Sequence, residues 1–341
     1  MAKKIKTIKE VVESHAKAFV RDKWADYADE KLVPKFNVCR FDDKADNRFY
    51  YFTDGDELVI ASGATDPFGR VSIERDGIER WKESHPDWRH LLNVSSDYGT
   101  LEHILFGGIG LGNGINKVVL DGMQKIALDN NKSGEMPARD TLAFLKFQED
   151  YTPTPLLIEG QLVWKDPDTG ERLAMTVDML TQLNIVEVTK QMVEDGVWQR
   201  GERKGQPKFV EQKIETPKTI IALIDFKSNF FEKEKKSFYE VNMMQLMAGK
   251  LAVEQNFGIT VDGIYNFACN NWRVAPSYTL YEHKLTEKDW QVFRGYWLTI
   301  IAHDLHKPKG GFLMTDKFAN SSDYKILSYK EYVEQVLLNS K

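Results

Sequence analysis

Cysteine is nearly absent from this 341-residue chain: only Cys39 and Cys269 occur. Two thiols cannot furnish a four-cysteine zinc or iron–sulfur site, and they read as buried or incidental groups. No stretch approaches the roughly 18 consecutive apolar residues that a membrane helix needs, so no span is expected. The opening Met1-Ala-Lys-Lys-Ile-Lys is basic but has no apolar run behind it, so no secretory leader is expected either. There is no excess of positive charge. Lys and Arg number 46 against 51 Asp and Glu, a net charge of −5. That argues against a protein that only coats nucleic acid, and leaves room for an enzyme with a local basic groove. No internal repeat or low-complexity tract is visible. What remains is the composition of an ordinary folded enzyme, 42% hydrophobic and 12% aromatic. The length fits one large α/β domain or two smaller ones. A soluble, cytoplasmic protein is expected.

Residues 6–30 place Ile8, Val11, Val12, Ala16, Phe19 and Val20 at helical spacing. Lys17, Arg21 and Lys23 lie on or near the polar side, as a solvated face or a phosphate contact. Residues 35–63 read as β-rich with a turn at Asp54-Gly55, and the segment around Trp81 reads as helical. A helix starting near Asp97 or Thr100 carries His103 and runs into the glycine-rich stretch from Gly107 to Gly114. That stretch does not fit G-x-G-x-x-G and follows a helix, so a helix end is the better reading than a phosphate cradle. Residues 156–164 and 172–178 form a hairpin across Asp166-Pro-Asp-Thr-Gly170. Residues 185–218, with Arg200, Arg203, Lys204, Lys208 and Lys213, read as a long polar insertion between core strands. A strand at 219–226, a helix at 237–256, a strand at 259–267 and helices at 286–304 and 328–339 complete the pattern.

The chemistry concentrates at Thr219-Ile-Ile-Ala-Leu-Ile-Asp225-Phe226-Lys227. Strand side chains alternate, so Asp225 and Lys227 point together from the end of an apolar run. A carboxylate and an ammonium at the tip of a buried strand are tolerable as an ion pair or around a metal. Asp-x-Lys alone is a weak signal: Asp29-Glu30-Lys31 and Asp42-Asp43-Lys44 sit in polar stretches as solvated charge runs. Asp225 and Lys227 differ because Ile220 to Ile224 precede them without a polar break. Asp178 ends a second strand, Glu159 lies in a third, and His103 and Gln245 lie on helices. Taken singly, His103 is a core histidine or a ligand, and Gln245 a packing amide or a positioning group.

Together and in this order they resemble the RecB-like branch of the PD-(D/E)XK nucleases, which includes phage-type exonucleases. The resemblance runs from Ile60 to Phe267. Gly99-Thr100-x-x-His103 looks like the branch's G-T-x-x-H motif, preceded by a Ser62–Thr65 turn and a Trp81-bearing helix. Glu159 stands at the early strand Glu, Asp178 at the first metal-binding Asp, and Asp225-Phe226-Lys227 at the (D/E)-x-K signature. Tyr239, Gln245 and the glycine exit at Gly258 resemble the Gln-motif helix. The chain departs where Gly249 replaces a Tyr four residues after Gln245, and where Ala174, Met175 and Thr176 precede Asp178 without a glycine.

The resemblance implies a restriction-endonuclease-like α/β core with a mixed central sheet flanked by helices over 96–282, interrupted at about 185–218. It leaves residues 1–95 as an N-terminal extension and 283–341 as a helical C-terminal cap. It also implies a metal-dependent deoxyribonuclease acting in recombination or DNA processing, an exonuclease first and an endonuclease as the alternative, leaving 5′-phosphates. A catalytically inactive DNA-binding module is the reading from another class, and a structural Asp–Lys pair a further one. Asp178, Asp225 and the Phe226 carbonyl would hold Mg²⁺ or Mn²⁺, one ion or two, with His103 and Glu159 completing the shell and no iron–sulfur cluster. Lys227 would orient the attacking water, Gln245 would position Lys227 or substrate, and Tyr239 and Ser228 would contact substrate. DNA is the expected partner, with a further copy of the chain or a recombination or helicase protein beside it. Trp164, Trp198 and Trp272 are candidates for base stacking or for plain packing.

Overall fold

The structure, a computed structural model, describes residues 6–7, 19–20, 24–36, 38–42, 48–54, 57–72, 75–232, 234, 237–307 and 324–325. The strand β1 (Tyr27–Ala28) precedes a meander of β2 (Val38–Asp42), β3 (Arg48–Asp54) and β4 (Glu57–Ser62). Helices α1 (Thr65–Val71), α2 (Arg75–Ser84), α3 (Trp88–Gly110), α4 (Lys117–Asp129) and α5 (Met136–Tyr151) follow. Then come β5 (Thr154–Lys165), β6 (Arg172–Val197), β7 (Pro207–Phe226), α6 (Glu240–Phe257), β8 (Gly263–Cys269), β9 (Tyr278–Glu282) and α7 (Glu287–Ala302).

A six-stranded mixed sheet in the order β9-β8-β7-β6-β5-β1 forms the centre. The neighbours β7 and β8 run parallel, which requires a crossover, and α6 supplies it. The other pairs are antiparallel. Helices cover both faces because the central strands are apolar on both. Along β7, Leu223 enters the core beneath α6 and α7, while Ala222, Ile224 and Phe226 enter the core beneath α3 and α5. The second core is aromatic. Phe106 of α3 stacks on Phe144 of α5 at 4.3 Å, and both meet Phe226 and Phe267 edge-on.

The structure corrects several sequence expectations. Residues 6–7, 19–20 and 27–28 are strands rather than parts of one helix, and β1 pairs with β5 at the sheet edge. Lys17, Arg21 and Lys23 lie outside the described residues, as does the helix expected over 328–339. The helix carrying His103 begins at Trp88, well before Asp97. Residues 185–218 are not a loop: β6 and β7 stay paired from Met179↔Ile224 to Val197↔Pro207. Beyond Asn184↔Thr219 the pair leaves the sheet as a two-stranded ribbon, on the order of 40 Å long at about 3.3 Å per residue. Its alternation of charged and β-branched residues satisfies a ladder as well as a polar loop, which explains the misreading.

The meander belongs to the same body as the sheet. Tyr50 OH and Arg40 Nη1 bond Thr176 Oγ1 of β6 at 2.8 and 3.1 Å, and Ala64 N–H donates to the Ala174 carbonyl. At the other end, Trp297 Nε1 and Arg294 Nη1 of α7 donate to buried Asp166 in the β5–β6 turn.

Two measurements check this architecture. Phe144→Ala removes the ring that touches α3, β7 and β8, and is expected to cost about 3–5 kcal/mol by chemical denaturation. Replacing residues 187–216 by a two-residue Asn-Gly turn is expected to leave the thermal midpoint within a few degrees of the parent. A large drop would mean that the ribbon carries part of the core.

Candidate metal centre

One level of the sheet is polar. The pairing of β6 with β7 reaches Met179↔Ile224, and Asp178 and Asp225 stand one residue beyond it. Glu159 falls between Ile158↔Met179 and Gly160↔Val177. Asn266 of β8 pairs with Asp225. Glu159, Asp178, Asp225 and Asn266 therefore form a row across four strands, all buried. At this level the ladder opens: the Phe226 N–H donates to Asp178 Oδ2 at 2.8 Å, a carboxylate in place of a strand carbonyl. Glu159 has a left-handed backbone, φ 50°, a conformation costly for a residue with a side chain and concentrated at functional sites. Beside it, a Cβ on Gly160 would lie 2.4 Å from the buried Leu157 side chain, which would have to shift to admit any other residue.

Two cations answer the carboxylates. Lys227 Nζ donates to Asp225 Oδ1 at 2.7 Å and to Gln245 Oε1 of α6 at 3.2 Å. His103, delivered by α3, places Nδ1 3.0 Å from Glu159 Oε1 and 3.7 Å from Asp178 Oδ1. Its Nε2 lies 3.2 Å from the Phe226 carbonyl. Both ring nitrogens face acceptors, so the bonds as drawn are those of an imidazolium. Burial works against that charge, but Asp178, with Glu159 bonded to the ring, outweighs it and pushes the His103 pKa up to about 9. Burial raises Asp178 to about 6, with Asp225 and Glu159 adding to the rise and His103 opposing it.

Ligand atoms of His103, Glu159 and Asp178 lie within 4.8 Å of one another. With Asp225 and the Phe226 carbonyl they make a set of hard oxygens, joined by the His103 imidazole once it gives up a proton, the donor chemistry that suits a hard divalent cation. The imidazolium contacts Asp178, Glu159 and the Phe226 carbonyl together, so positive charge is already drawn to the space these atoms share. The residues fit a divalent cation.

Seven sequence-predicted residues thus meet: His103, Glu159, Asp178, Asp225, Phe226, Lys227 and Gln245. Ser228 follows directly, close enough to α3 that a Cβ on Gly99 would lie 3.3 Å from its own. Tyr239 caps α6 and is half exposed, and no bond joins it to the cluster among the described residues. A Cβ at Gly249 would sit 2.9 Å from Leu223 of β7, which accounts for the absence of the Tyr that the resemblance would place there. The helix approaches the sheet too closely for a Tyr. Trp164 is core, packed on Phe293 and Trp297. Trp272 Nε1 donates to the Arg139 carbonyl, and Trp198 lies at the far end of the ribbon.

The sequence reading missed Asn266 and His283. Asn266 Nδ2 donates to Asp225 Oδ2, and Asn266 Oδ1 lies 2.6 Å from His283 Nε2. A polar residue inside Ile264-Tyr-Asn-Phe-Ala268 was the available signal. Behind α3, Glu102, Asp140 and Cys269 form a second buried group, with Tyr98 OH donating to Asp140. It ties α3 to α5 and β8. No helix among the described residues is long and apolar enough to cross a membrane. Comparison with protein-family models, with curated proteins and with solved structures finds no match to this chain.

Burial lowers the His283 pKa to about 4, against the opposing pull of Asp225 and Asp289. A base whose folded pKa lies below its unfolded value of about 6.5 binds protons better when unfolded, so acidification favours unfolding. In chelator, the wild type is expected to lose stability relative to His283→Gln as pH falls from about 6.5 to about 4, and not above that window. A pH-independent difference between the two would contradict a buried, neutral His283.

Proposed function

We propose that this protein is a metal-dependent DNA nuclease of the RecB-like PD-(D/E)XK type, on a restriction-endonuclease-like core, and that it acts as an exonuclease. The observation that carries the reading is Lys227 Nζ held between Asp225 Oδ1 and Gln245 Oε1, one strand away from Asp178 at the point where the ladder opens. A structural ion pair needs neither the amide nor the second and third carboxylates.

Asp178, Asp225 and the Phe226 carbonyl would hold the cation, with His103 and Glu159 beside them. When bound, it supplies positive charge against the scissile phosphate and makes water more acidic. The chain does the rest. Lys227 is fixed by two acceptors and has a third N–H for the attacking water or a phosphate oxygen. Its charge offsets the negative charge that develops on phosphorus-bound oxygens. Gln245 keeps Lys227 from swinging into solvent. Asp178 is tied to the backbone of β7 and holds its orientation through the reaction. Attack at phosphorus with departure of the 3′-oxygen leaves a 5′-phosphate and a 3′-hydroxyl. DNA is the proposed substrate, and the exposed turn of the ribbon, with Arg200, Arg203 and Lys204, offers phosphate contacts remote from the cut.

End-labelled linear DNA and closed circular DNA, each with Mg²⁺ or Mn²⁺, test the reading. The wild type is expected to degrade the linear form alone. Lys227→Ala is expected to be slower by about 10²–10³-fold while remaining folded. Cutting of the circle would make the protein an endonuclease. Inertness toward both DNAs with both metals would overturn the proposal.

A further inference from the structure

We propose that Asn266 and His283 are positioning residues that hold Asp225 in place for a divalent cation, through the hydrogen-bonded file His283–Asn266–Asp225. This rests on the metal-centre reading and adds to it two residues from β8 and from the segment after β9.

Asn266 is fully buried in an otherwise apolar strand. A buried amide is costly unless both of its ends are bonded. Here both are bonded, and both partners are side chains. The polarity of the file follows by elimination. The Asp225 carboxylate only accepts, so the Asn266 amide nitrogen must face it. The amide oxygen then faces His283 at 2.6 Å, and His283 must present Nε2–H. The backbone N–H of His283 donates to the Ile264 carbonyl at 3.0 Å, which anchors the residue, and the Tyr281 ring packs edge-on against the imidazole at 4.9 Å.

Asp225 is thereby gripped from two sides. Asn266 occupies one lone pair of Oδ2, and Lys227, at 2.7 Å, one of Oδ1. The carboxylate plane cannot rotate without breaking one bond or the other. The lone pairs left over keep fixed directions, so a cation meets a preorganised ligand rather than one it must order. A purely structural Asn in β8 would be served as well by backbone partners. It would not be chosen to face Asp225, which lies in register beside it.

Isothermal titration of Mn²⁺ into the metal-stripped full-length protein tests this without any DNA. His283→Ala and Asn266→Leu are expected to weaken Mn²⁺ binding by about 10–100-fold. His283→Gln, whose amide can still donate to Asn266 Oδ1, is expected to restore most of it. Circular dichroism in chelator establishes that each variant is folded. If Asn266→Leu does not fold, the two His283 variants carry the test, because His283 lies outside the strand. A folded His283→Ala that binds Mn²⁺ as tightly as the wild type overturns the file, even if the wild type cleaves DNA. Dependence on His283 without any DNA cleavage supports the file and overturns the nuclease reading alone. A wild type that takes up no Mn²⁺ overturns both.

Discussion

Three carboxylates crowded at one level of one sheet are the constraint on which the centre is built. Ligand atoms of Glu159, Asp178 and His103 fall within 4.8 Å of one another. At that distance two like charges repel by roughly 3–4 kcal/mol at an effective dielectric constant of about 20. That is a large part of the net stability of a typical domain, about 5–15 kcal/mol. The fold therefore has to bring compensating groups to this spot, and they arrive from separate elements. Helix α3 delivers His103, the end of β7 delivers Lys227 and the Phe226 N–H, and β8 delivers the Asn266 amide. The packing of α3 matters for this reason. The Phe106–Phe144 stack and the Tyr98–Asp140 bond fix the helix that carries the imidazole.

The same constraint explains why the strands part where they do. In a continued ladder the Phe226 N–H would meet a strand carbonyl. Here it meets Asp178 Oδ2, so a backbone donor is spent on a charge. Hydrogen bonds to an ionised acceptor are stronger than neutral ones. The exchange favours the carboxylate and leaves the Phe226 carbonyl to turn toward His103. One local break in the pairing thus gives Asp178 a donor and frees the Phe226 carbonyl. The left-handed Glu159 is the counterpart on β5, where a strained residue brings a third carboxylate to the ring.

Much of this was legible in the sequence because the strands announce themselves. The apolar run Ile220–Ile224 marks β7, and its end marks Asp225 and Lys227. The hairpin turn Asp166–Gly170 places Asp178 beside them. Local composition says less about where a helix begins: Trp88, Leu91, Leu92 and Val94 carry helical spacing ahead of Asp97, but Asn93, Ser95, Ser96 and Asp97 are residues that favour caps and turns and so read as a helix start. The helix α4 went unread because its buried face is narrow, Met123 and Ala127, whereas α5 buries polar Asp140 and Thr141 beside Phe144 and Phe147, which blurs its apolar stripe. Asn266 and His283 could not be assigned from one sequence. Their role depends on which strand lies beside β7, and the parallel pairing through α6 is a tertiary fact. The ribbon was misread because charge alternation suits a solvated ladder and a solvated loop alike.

The ribbon also bears on how a chain of net charge −5 could admit the polyanion that the proposed function requires. It departs from the sheet at the end of β7 opposite to Asp225, beyond Asn184↔Thr219. Along an extended strand the six steps from Thr219 to Asp225 span roughly 20 Å, at about 3.3 Å each. The screening length at physiological salt is about 8 Å, so exposed charges on the ribbon are scarcely felt at the centre. The centre answers instead to His103 and Lys227, which lie within bonding distance of its carboxylates. The summed charge of the chain is consequently a poor guide to the potential at the sheet end. Attraction of a phosphate there depends on how far bound positive charge outweighs Glu159, Asp178 and Asp225. With no cation added to His103 and Lys227, three carboxylates face two positive side chains and the balance repels phosphate. A bound divalent ion would reverse it, so on the proposed reading a metal would act electrostatically as much as chemically.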